Sequence, residues 1–173
     1  MIINKNIKAM KNLFLILAIT FLFVGCKDSE DRIPEQDAFI YRLHADFSIV
    51  NSKNADLLNP ETPGHLNIAD FRVYYLINGE KKLFYKPDYD YPYGYLYNDE
   101  LREGKTSVRI FFNSSETEDR PITYVQWSNQ DTDTIQVEYE RTINGVIQKN
   151  IWLNGEHIWD RKDDKLEYFT LTK

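Results

Sequence analysis

Apolar and polar residues alternate without a break from Phe39 to Val50. Phe39, Tyr41, Leu43, Ala45, Phe47 and Ile49 fall on one side, and Arg42, His44, Asp46 and Ser48 on the other. A period of two over that length predicts a half-buried β-strand. The next stretch, 51–67, carries two prolines and a glycine among several asparagines. It predicts a loop, with Leu57 and Leu58 tucked onto the core. Strand-like runs follow at 71–77, 82–86, 106–112, 121–127, 134–142, 146–153, 156–161 and 166–172. Asn78-Gly79, Asn144-Gly145 and Asn154-Gly155 each stand between two such runs. An Asn-Gly pair in that setting predicts a tight hairpin, because both central residues need positive φ. About nine strands and no run of helical periodicity make the domain all-β. Short connections favour antiparallel pairing, and the long loops at 51–67 and 86–104 suit crossings between two sheets. The expected fold is an antiparallel β-sandwich of about nine strands, with a meander β-barrel as the alternative.

Upstream of the strands the pattern changes. Lys5, Lys8 and Lys11 precede an apolar run ending at Gly25, the layout of a secretory signal peptide. That run is shorter than the roughly 20 residues a membrane-spanning helix needs. It ends in Phe23-Val24-Gly25-Cys26, which resembles the lipobox of bacterial lipoproteins. The resemblance implies that Cys26 is acylated and becomes the first residue of the mature chain, and several acyl chains on one residue anchor a protein stably. The adjoining Lys27, Asp28, Ser29, Glu30 and Asp31 resemble the export signal that sends Bacteroidetes-type lipoproteins to the outer face of the outer membrane. The chain therefore divides into a signal peptide over 1–25, a lipidated cysteine with an acidic tether over 26–36, and one all-β domain over 37–173.

Two further runs, DLLNPETPGHLNIADFRVYYLING and DTIQVEYERTINGVIQKNIWLNGEHIWD, resemble small Bacteroidetes surface lipoproteins. Their shared features are structural: hairpin turns, Trp152 and Trp159 as buried-looking anchors, a Leu-Leu-Asn-Pro corner. The resemblance implies a lipid-anchored place at the outer membrane, exposed at the cell surface or, alternatively, facing the periplasm. It transfers no catalytic residue.

Composition narrows the partners. Removal of three signal-peptide lysines leaves 18 basic against 27 acidic residues, a net charge of −9. Such a surface repels phosphate backbones, so nucleic acid is a poor partner. Cys26 is the only cysteine, so no intrachain disulfide supports the fold.

Candidate chemistry is sparse. No two of His44, His65 and His157 have metal-ligand spacing, and His44 reads as a solvated strand histidine. No phosphate-binding loop, nucleophile elbow or cofactor motif is present. Carboxylate pairs at Asp88/Asp90, Glu116/Glu118 and Asp131/Asp133 are expected by chance in so acidic a chain, although a glycosidase does need two carboxylates. Asp88 and Asp90, with Asn98, Asp99 and Glu100 nearby, supply oxygens but lack the ligand spacing of a calcium loop. Asp133-Thr134-Ile135 resembles the Asp-Ser/Thr-apolar site of Bacteroidetes O-glycosylation, which implies Thr134 as an acceptor.

The distinctive feature is Tyr89, Tyr91, Tyr93, Tyr95 and Tyr97 at alternate positions. An extended segment would align all five rings as a platform for a sugar or a protein, unless they pack beneath their own loop. Pro92 and Gly94 favour an edge strand or a loop there. The expected function is non-enzymatic binding of a glycan or protein by a membrane-tethered domain. The alternatives are an accessory subunit of an outer-membrane complex and, third, a small hydrolase.

Overall fold

A computed structural model describes residues 39–173, so Cys26 and the Lys27–Asp31 run lie outside the described residues. Eleven strands form two facing sheets. They are β1 (Ile40–Arg42), β2 (His44–Val50), β3 (Arg72–Ile77), β4 (Glu80–Leu83), β5 (Tyr95–Arg102) and β6 (Lys105–Phe111), then β7 (Ile122–Ser128), β8 (Asp131–Thr142), β9 (Gly145–Leu153), β10 (Glu156–Asp160) and β11 (Tyr168–Thr172). The larger sheet runs β1-β9-β8-β7-β3-β4, with β10 sharing the edge of β9 with β1; the smaller runs β11-β2-β6-β5. Neither sheet closes, so the fold is a sandwich and not a barrel. Both sheets are mixed, because β1 pairs in parallel with β9 and β11 in parallel with β2. These two strands are not joined to their partners by hairpins, so turn geometry does not impose antiparallel pairing on them.

The long alternation from Phe39 is two strands instead of one. It breaks at Leu43, where the chain passes from the larger sheet to the smaller. Beyond that break Ala45, Phe47 and Ile49 are fully buried as expected, and so is Ser48 of the opposite face, whose hydroxyl donates to the Thr106 carbonyl. Strand β5 escapes the sequence pattern because six of its eight residues are exposed, as an edge strand permits. Loop 51–67 does cross between sheets, with Leu57 and Leu58 buried as expected, whereas the loop expected over 86–104 contains β5 and only 84–94 makes the crossing.

Two of the three Asn-Gly pairs form the turns their chemistry demands. Asn78 and Gly79 have φ of 52° and 79°, and Asn154 and Gly155 have 51° and 86°. The third hairpin turns instead through Ile143 and Asn144, and Gly145 already belongs to β9. Gly145 serves a close approach: a Cβ there would stand 2.4 Å from the Ile40 carbonyl oxygen of β1. A side chain at this position would push β1 off the sheet.

The core is aromatic at its centre. Trp127 meets Phe71 edge-on at 5.2 Å and lies 6.1 Å from Phe47. Trp159 is buried, whereas Trp152 is only half-buried and lies under the Arg120 guanidinium at 4.0 Å. One side of the core is fastened by a buried carboxylate. Asp133 Oδ2 accepts from Trp127 Nε1 and Lys173 Nζ, each at 2.7 Å, and its Oδ1 accepts from Asn154 Nδ2 at 2.8 Å. Burial alone would raise the Asp133 pKa, but the hydrogen bonds from Asn154, Lys173 and Trp127 outweigh it and hold the carboxyl below the ordinary aspartate value.

A lowered folded pKa means that this carboxylate stabilises the fold above the unfolded pKa, and that the contribution is lost as pH falls through the folded value. Asp133→Asn should therefore cost about 2 to 3 kcal/mol at pH 7, less than a fully buried pair because Lys173 keeps some exposure. Urea melts of both proteins should show the gap narrowing as pH drops below the ordinary aspartate value of 3.8. A gap unchanged at acid pH would contradict the assignment.

Candidate functional site

The five tyrosines do not form one row. Residues 86–94 are a succession of turns, and β5 begins only at Tyr95. Gly94 turns the chain at φ 79°, with its Cα so close to Val73 and Phe84 that a Cβ would meet each at 3.1 Å. The turns that precede it, over 87–93, split the rings into two groups. Tyr91 stacks on Phe111 at 3.6 Å and 9°, with Phe84 and Tyr89 against it. Burial, then Tyr89 and Asp90, raises the Tyr91 pKa. Behind this group Tyr75 packs on Phe84 and donates from its hydroxyl to the Phe111 carbonyl. That group is a satellite of the core.

The second group faces outward. Tyr93 lies 5.3 Å from Tyr85 and 6.4 Å from Tyr95, and Tyr95 anchors its hydroxyl on the Ile68 carbonyl at 2.9 Å. Tyr93 and Tyr85 are about half exposed, at 47% and 53%. Tyr89 and Tyr97 are exposed too, but Tyr97 lines a separate recess of about 210 Å³ with His65 and Leu66.

Tyr93 and Tyr95 open onto a cavity of about 380 Å³ whose other walls are Ala69, Arg72 and Leu83. It lies where the edge strands β4 and β5 face each other across the open side of the sandwich. A 3-10 turn at Ile68–Asp70, capped by Asn67, supplies one wall. Arg72 Nη1 donates to the Ala69 and Phe71 carbonyls, both at 2.7 Å. Its remaining N–H groups donate to no described residue, so the cavity has ring faces, an aliphatic wall and free guanidinium donors. Sequence reasoning found Tyr93 and Tyr95 but missed Arg72, Leu83 and Ala69, which reach the cavity only because the fold brings β3, β4 and the 3-10 turn beside the start of β5, and Tyr85, which packs on Tyr93.

The remaining candidates scatter. Thr134 sits half-exposed on the outer face of β8, its N–H donating to Asn154 Oδ1 at 2.8 Å. Asp131 and Asp133 are both tied to Lys173. Asn98 caps the Glu100 N–H, and Asp88 and Asp90 are exposed on the turns. Glu116 and Glu118 line a cavity of about 500 Å³ with Asp119, Arg120, Glu138, Tyr139 and Arg141. There Glu138 is held below its usual pKa by hydrogen bonds from Lys149 and Asn150, the reverse of what a catalytic acid needs. His44 is half-buried against Phe111, not solvated, and burial followed by Arg109 lowers its pKa. His65 and His157 are exposed. Among the described residues no cluster of His, Cys, Asp and Glu could hold a metal ion.

The split predicts unequal melts. Tyr91→Ala should lower stability by about 2 kcal/mol, because it removes a half-buried stacked ring. Tyr93→Ala should change it by less than about 0.5 kcal/mol, as exposed positions do. Equal losses in thermal melts would refute the two-group arrangement. Comparisons with protein-family models, curated proteins and solved structures found no match.

Proposed function

We propose that the chain is a lipid-anchored surface protein of the outer membrane whose β-sandwich binds a glycan in the cleft between β4 and β5. One observation carries the binding half: exposed Tyr93, with Tyr85 against its ring, beside Arg72 at a concave site. A sugar ring presents an apolar face of C–H groups and a rim of hydroxyls. The tyrosine faces suit the first and the uncommitted guanidinium N–H groups suit the second. Tyrosine also brings a large contact area with only two torsions to fix. The anchoring half rests on Phe23-Val24-Gly25-Cys26 and the charged run behind it.

A second reading, an accessory subunit of a membrane complex, draws on the outer face of the larger sheet. There Lys81 sits over the rings of Tyr74 and Tyr124 at 4.4 and 4.8 Å. A cation already seated on those rings makes that face less available to a ligand, and the cleft is the better candidate.

Two experiments address the two halves. Affinity electrophoresis through gels containing soluble polysaccharides should show retardation of the wild-type protein by at least one of them. Loss of one ring in Tyr93→Ala or Tyr85→Ala should weaken that binding about tenfold, equivalent to ~1.4 kcal/mol. Retention unaffected by both substitutions would move the site elsewhere. For the anchor, Cys26→Ala should shift the protein from the membrane to the soluble fraction, and a variant that stays in membranes would defeat the lipoprotein reading.

A further inference from the structure

The end of the sandwich where the described chain begins carries an apolar surface that the cleft does not use. Ile143, at the tip of the β8–β9 hairpin, is 92% exposed, and Tyr41, Phe39 and Ile40 are 63%, 50% and 49% exposed. These residues are contiguous. Ile40 donates its N–H to the Asn144 carbonyl at 2.9 Å, and Phe39 and Tyr41 place their ring centroids 4.6 Å apart. The patch is also held in place, since Gly145 lets the β1 backbone lie against β9. A hydrophobic residue at the apex of a two-residue turn, where polar residues are the rule, is an expensive choice for a surface facing only water.

We infer that this end of the domain rests on the lipid surface, with Ile143, Tyr41, Phe39 and Ile40 entering the headgroup layer. The inference depends on the lipid-anchor reading of Cys26. Chain length selects the occupant. Thirteen peptide links join Cys26 to Phe39, and no conformation of them spans more than about 45 Å. A compact domain of this size has a radius of gyration of about 14 Å, so the tether is little longer than the domain is wide. The bilayer is thus always within reach of the patch beside the attachment point. The side chains match the interface, in which aromatic rings seat at headgroup level and aliphatic chains just beneath. Exposed Arg42, next in β1, can extend its guanidinium to lipid phosphates. The cleft uses neither β1 nor the β8–β9 hairpin, so seating this end leaves it free of the contact.

The test uses the full acylated chain in vesicles of phosphatidylethanolamine and phosphatidylglycerol, with an environment-sensitive dye on Ile143→Cys. Acylation blocks Cys26, so the dye reports one position. Lys53→Cys, in the loop after β2 at the other end of the sandwich, is the control. The expected result is blue-shifted emission, quenched by bromine-labelled lipid, at 143 and water-like emission at 53. Protein that floats with the vesicles while 143 reads water would overturn the inference and leave the anchor intact. A blue shift in detergent-free protein without vesicles that grows with concentration would make a second copy the occupant, and also overturn it. Protein that neither floats nor carries acyl mass would defeat the lipid-anchor reading itself, and this inference with it.

Discussion

Much of this fold depends on how one carboxylate is held. Asp133 lies on the inner face of β8, where the alternation demands an apolar residue, between two sheets that have no disulfide to join them. Its burial is tolerable because three donors from separate parts of the chain converge on it: the Trp127 indole of β7, the Asn154 amide of the β9–β10 turn and the Lys173 ammonium beyond β11. A buried charge with any donor missing would be strongly destabilising. The network therefore specifies the register of β8 against its neighbours and brings the end of β11 onto the larger sheet. Trp127 is thereby held where it meets Phe71 edge-on and lies tilted against Phe47 of β2 in the facing sheet. Packing and polar satisfaction agree on one arrangement, which is what gives a core uniqueness.

Most of the architecture was legible because the physics that shapes it is local. Period-two alternation marked the buried faces of β2, β7 and β8, and Asn-Gly chemistry marked two hairpins whose backbones do take positive φ. What failed to show was non-local. Nothing in FIYRLHADFSIV signals the change of sheet at Leu43, because both halves keep the same alternation. Gly145 looked like a turn residue, yet its reason for being glycine is the Ile40 carbonyl more than a hundred positions away. Strand β5 was hidden for another reason: an edge strand with little buried surface carries almost no hydrophobic period.

The tyrosines show the same limit at the candidate site. Alternate spacing places rings on one face only while the backbone stays extended, and the succession of turns before β5 removes that condition between Tyr91 and Tyr93. Tyr91 was then free to turn inward onto Phe111. The polar group that makes the outer cleft useful, Arg72, reads in sequence as an ordinary outward-facing strand residue. Its position beside Tyr93 is a product of sheet order and could not be read from spacing.

The cleft itself follows from the choice of an open sandwich over a closed barrel. If β4 and β5 had paired, no gap would remain between the sheets on that side. Instead β4 presents Glu80, Lys81 and Lys82, and β5 presents Asn98, Asp99 and Glu100, charged or polar edges that resist pairing with each other or with another chain. The gap that results must still be shielded from water, and the chain fills it with the aromatic residues of 84–95, whose inner members complete the core while the outer ones remain at the rim. The same unpaired edges thus leave room for a concave, ring-lined surface. On the side where β1 leads directly into β2, the chain itself bridges the two sheets.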